Sequence, residues 1–105
     1  DMIELAASAL ANEIVLYVTP DKNKTQSIAS LVFFPEKQGI INNAAEQMFS
    51  KTTSGYRLEI KRDRMGQNLP ESLDGILVLK YSEMNTNPEG IIIRVPLEKS
   101  SSVRN

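Results

Sequence analysis

Five short runs of aliphatic, β-branched and aromatic residues, each closed by proline, glycine or a polar stretch, restrict this chain to a domain built on a sheet. Glu13 to Thr19 (EIVLYVT) is apolar on both faces, as a central strand is, and Pro20 ends it. Ser27 to Phe34 (SIASLVFF) follows a polar turn bearing Lys22 and Lys24, so the two runs are expected to form a hairpin. Tyr56 to Arg62 (YRLEIKR) alternates strictly, with Tyr56, Leu58 and Ile60 on one face and Arg57, Glu59 and Lys61 on the other. A strand with one wet, charged face is expected near a sheet edge. Gly75 to Tyr81 (GILVLKY) reads as a buried strand. Gly90 to Leu97 (GIIIRVPL) is the last, and Pro96 confines that end to an edge or a strand terminus.

Two other segments carry helical spacing. Ile3, Ala6, Ala7 and Leu10 recur as on an amphipathic helix, with Asp1 as its cap and Glu4 at the spacing of a capping box. Ile40, Ile41, Ala44, Ala45, Met48 and Phe49 form an i, i+4, i+8 stripe, which predicts a second helix from about Gln38 to Ser50. Pro70 to Asp74 has room for one helical turn. The resulting order is α-β-β-α-β-β-β. It predicts one two-layer α+β domain over residues 1–98, a mostly antiparallel sheet of about five strands under two amphipathic helices. A polar, serine-rich tail follows over 99–105.

Composition narrows the chemistry. The 105 residues suit one domain, and the 41% hydrophobic fraction supports a core without staples. There is no Cys and no His, which removes thiolate nucleophiles, disulfides, serine triads and the common zinc sites. No cofactor or metal is expected. Twelve basic residues face 13 acidic ones, a balance that disfavours bulk attraction to nucleic acid or an anionic membrane while leaving room for a local patch. No apolar run reaches the ~18 residues a membrane helix needs. The chain opens at Asp1 and its compartment is open.

The candidate binding residues are Arg57, Lys61, Arg62 and Arg64, with Tyr56 as a stacking surface and Gly66 in the following loop. Guanidiniums at a strand-to-loop junction can clamp phosphate or carboxylate bidentately, and an aromatic beside them suits single strands. The same residues also fit a solvated strand face partly neutralised by Glu59 and Asp63. Glu59 with Asp63, and Glu71 with Asp74, are the carboxylate pairs available for acid–base work, and both read better as counter-ions or caps. Asn23-Lys24-Thr25 matches the glycosylation acceptor pattern. The glycines stand at element boundaries and fit turn chemistry. Met48 belongs to the apolar stripe and is expected in the core, whereas Met65 and Met84 fall in loops.

These features predict a non-enzymatic protein-interaction module, the soluble part of a larger or membrane-tethered assembly, docking on another protein or on itself. The expected surface is a sheet edge, Tyr56 to Arg62 or Ile91 to Val95, or a helix face. The alternative is an anion or nucleic-acid binder using Lys61, Arg62 and Arg64.

Overall fold

A computed structural model describes residues 3–23, 26–63 and 68–99. Its elements are all strands: β1 (Glu4–Ala9), β2 (Glu13–Thr19), β3 (Ile28–Pro35), β4 (Met48–Lys51), β5 (Tyr56–Lys61), β6 (Ser72–Tyr81) and β7 (Glu89–Lys99). They join one sheet in the order β3-β6-β7-β1-β2-β5-β4, antiparallel except where β1 runs parallel to β7. The expected α+β class is therefore overturned. The chain is all-β among the described residues, and the sheet curls into a nearly closed barrel.

Both expected helices failed for physical reasons. Segment 3–9 reads apolar at the helical period and also at period two, through Ile3, Leu5, Ala7 and Ala9. The second reading wins because β2 offers a backbone partner along Glu4–Ala9 and β7 a second one at Ala7–Ala9, and pairing overrides alanine's helix propensity. In segment 38–50 the stripe is interrupted at Asn42. Its side-chain oxygen accepts from the Ala44 N–H and its carbonyl from the Ala45 N–H, a local turn that competes with a helix. Gly39 precedes it at φ 89°. Ile41 is buried by a single bridge to Arg62, and Met48, expected inside, points out at 56% exposure while Phe49 packs inward. Residues 72–74, where a helical turn was expected, begin β6.

Strand positions were read well and their neighbours were not. β2 and β3 form no hairpin: β2 pairs with β1 and β5, and β3 pairs with β6. Of the two expected edges, Tyr56 to Arg62 is not one, since β5 lies between β2 and β4, whereas Ile91 to Val95 pairs with β6 on one side only, because β1 joins β7 at Leu97–Lys99. Pro96 sits inside β7, at the last pair of the β6 ladder, just before Leu97 begins the ladder with β1. Lys99, placed in the tail, still pairs with Ala9, and 100–105 lie outside the described residues along with Asp1.

The inward side chains of all the long strands meet in one core that includes Ile14, Leu16, Leu31, Phe33, Leu58, Ile60, Leu73 and Leu77. Gly75 is mid-strand and buried rather than at a boundary. A Cβ there would stand 2.2 Å from the Phe34 carbonyl oxygen and 2.8 Å from Phe33 Cζ, so the Phe33 ring occupies the space a side chain would need.

The real edges, β3 and β4, meet across a seam. The Gln47 amide, one residue before β4, accepts from the Phe33 N–H and donates to the Phe33 carbonyl, each at 2.8 Å. One side chain thus mimics a ladder step and covers an edge that would otherwise invite foreign strands. Nearby, the Tyr56 hydroxyl accepts from the Ile28 N–H at 3.0 Å. A bulge at Ala29 shifts the β3 register between Ile28 and Ser30, and bulges of this kind increase the local twist that bends a sheet toward closure.

Candidate functional site

The basic residues picked from sequence are scattered by the fold and largely engaged within it. Arg57 projects from the outer face of β5 and pairs with Glu59 two residues on, at 3.0 Å. Its Nε is buried without a hydrogen-bond partner. Arg62 turns to the end of the barrel, where its Nη1 donates to the carbonyls of Leu10 at 2.8 Å and Ala11 at 3.1 Å, tying down the β1–β2 turn. Tyr56 is partly buried and stacks on Phe49, with centroids 5.6 Å apart and planes 18° from parallel, so one face of its ring is already taken. Lys61 is exposed. Arg64, Met65 and Gly66 lie outside the described residues, as do Lys24 and Thr25 of the acceptor pattern.

Lys61 and Arg62 share an open polar cleft of about 610 Å³ with Asn12, Asn42 and Asp63. The cleft brings together two of the five predicted residues. One of the two is engaged in structural hydrogen bonds to carbonyls, and the acidic Asp63 lines the same cleft.

One carboxylate of each expected pair is engaged elsewhere. Glu59 faces Arg57, while Asp74 accepts from the Ser72 hydroxyl at 2.7 Å and lies 3.4 Å from Arg94. Among the described residues no group of three or more acidic side chains is set to hold a metal ion. Among the described residues the titrating group with a clear shift is Tyr81. It donates to Glu89 at 2.6 Å, and that hydrogen bond, with burial and the carboxylate's charge, pushes its pKa up to about 12. It lies at the end of β6 and ties that end to the start of β7.

A different surface stands out from the register. On β3, β6 and β7 alternate residues face away from the core. Phe34, Ile76 and Ile92 fall in one cross-strand row of that outer face and are 55%, 45% and 88% exposed. The next row is Val32, half-buried Val78 and Gly90. Large apolar side chains clustered in this way lose free energy to water, and contiguous apolar patches on a monomer mark interaction surfaces. Sequence reading missed them because Gly75 to Tyr81 reads as a buried strand and two helices were expected to cover the sheet. The signal was present nonetheless: a strand with one buried face must expose the middle isoleucine of Ile91-Ile92-Ile93.

No protein-family model matches this chain, and comparisons with curated proteins and with solved structures found no match either. Among the described residues no helix is long and apolar enough to cross a membrane.

Proposed function

We propose that this chain is a non-enzymatic protein-interaction module, and that it docks through the outer face of β3, β6 and β7. The observation that carries the reading is the exposed in-register row Phe34, Ile76 and Ile92. It replaces the Tyr56 to Arg62 edge and the helix face expected from sequence, since β5 lies inside the sheet and the described residues form no helix; it is preferred to the Ile91 to Val95 edge because the row spans three strands. A central apolar cluster with a polar rim is the arrangement that concentrates binding energy at an interface. Here Glu36, Asp74 and Arg94 border one end and Lys80 the other. The alternative, anion binding in the Lys61 and Arg62 cleft, is disfavoured because Arg62 is already held by the Leu10 and Ala11 carbonyls.

The test is photo-crosslinking in the native host, with a benzophenone amino acid at Ile92 and, as control, at Lys61. A discrete protein adduct from Ile92 and none from Lys61 is expected. Adducts from Lys61 alone would sink the outer-face reading.

A further inference from the structure

We infer that the occupant of this face is a second copy of the same chain, packed sheet on sheet about a two-fold axis. The inference rests on the docking reading above and adds to it the identity of the partner. The face is self-complementary when the axis lies between the two apolar rows, in the plane of the sheets and across the strands. Each of β3, β6 and β7 then lies over its own copy, running the opposite way. This exchanges the rows, so that Phe34, Ile76 and Ile92 lie over the copy's Val32, Val78 and Gly90. The most exposed side chain, Ile92, meets the position with no side chain, Gly90. Large residues set over small ones are what interdigitated sheet faces require.

The charges at the two ends obey the same symmetry. Asp74 and Lys80 stand three residues to either side of Leu77, where the axis crosses β6 between the two rows, so each Lys80 faces an Asp74 of the copy. Glu36 joins Asp74 through its backbone N–H, and Arg94 pairs with Asp74 across the ladder. The end bearing Glu36, Asp74 and Arg94 therefore carries one net negative charge, and the end bearing Ser30 and Lys80 one net positive charge. The two-fold brings unlike ends together twice. The chain's net charge of -1 offers little opposing repulsion.

The size of the face sets the strength. Three strands spaced ~4.8 Å apart, with four outward rows ~7 Å apart, cover roughly 400 Å² per copy. About 800 Å² in total is below the range of permanent complexes, so a weak, concentration-dependent dimer is expected rather than an obligate one.

The experiment is sedimentation equilibrium on the full chain over a wide concentration series, with thermal unfolding confirming that each variant is folded. Wild type is expected to move from the 11.7 kDa monomer toward twice that mass. Ile92→Asp is expected to stay monomeric. Lys80→Glu and Asp74→Lys each place like charges at both ends and should weaken self-association roughly tenfold or more. An equimolar mixture of those two variants restores opposite charges at both ends and should recover a mixed dimer. Wild type that stays monomeric to millimolar concentration overturns the second copy as occupant. If Ile92 still crosslinks a different protein in that case, the docking face stands and only its partner changes. If it crosslinks nothing, both readings fall. A dimer that persists undiminished in Ile92→Asp overturns the inference by placing the contact elsewhere. Should Asp74→Lys fail to fold, Ile92→Asp and Lys80→Glu still decide the question.

Discussion

Tyr81 shows how one side chain couples strand pairing to pH. Its hydroxyl donates to Glu89, and the phenol's folded-state pKa is about 12 against an ordinary 10.0. The folded state therefore holds this proton more tightly than the unfolded chain does. The stabilisation is fully present below pH 10 and is lost as pH rises through about 12. Thermal unfolding across that window should show an alkaline loss of stability that Tyr81→Phe largely removes, since phenylalanine has no proton to lose. An unchanged alkaline limb in the variant would mean the carboxylate does not hold the phenol. The contrast with Arg62 is instructive. A guanidinium chosen from sequence as an anion ligand serves instead as a donor to two turn carbonyls, because a charged fork near loose carbonyls finds partners within the chain.

At the level of elements, the strands differ in how well they are held. β2 is flanked by β1 and β5 and contributes Ile14, Leu16 and Val18 to the core, whereas β4 has four residues and one partner. Local opening costs least where a strand has a single ladder and little buried area. Amide exchange followed by NMR is expected to give the paired amides of Met48–Lys51 roughly a hundredfold less protection than those of β2. Equal protection would mean β4 opens only with the whole domain. The two mistaken helices belong to this scale as well. Alanine-rich 3–9 satisfies both periods over a short window and was decided by available strand partners, whereas the Ile40 to Phe49 stripe fits the helical period alone and was overridden by the Asn42 turn.

For the whole molecule, closure depends on a seam rather than on a full ladder. Gln47 bridges β3 through both backbone groups of Phe33, itself a core residue. Gln47→Ala removes two hydrogen bonds from a partly buried edge and is expected to cost about 1–3 kcal/mol in urea unfolding. Gln47→Glu keeps an acceptor for the Phe33 N–H but turns a carboxylate oxygen on the Phe33 carbonyl, so it should lose comparable stability at neutral pH and recover part of it on acidification. No loss in either variant would show that the seam contributes nothing.

Strand content was legible residue by residue, because β-branched runs ended by Pro20, Pro35 or polar turns carry a local signature: β2, β3, β5, β6 and β7 were all located. The inward set on β5, Tyr56, Leu58 and Ile60, was legible for the same reason, since period two is a property of the chain itself. The absence of His and Cys was equally plain, and with it a narrowed chemistry. Which strand lies beside which was not legible. Backbone donors and acceptors are the same in every residue but proline, so pairing β1 with β7, seating β5 inside the sheet and closing the seam at Gln47 are decided by how the whole set of strands buries one core. The apolar outer row followed from that decision, because only the register brings Phe34, Ile76 and Ile92 together, and among the described residues no helix covers them.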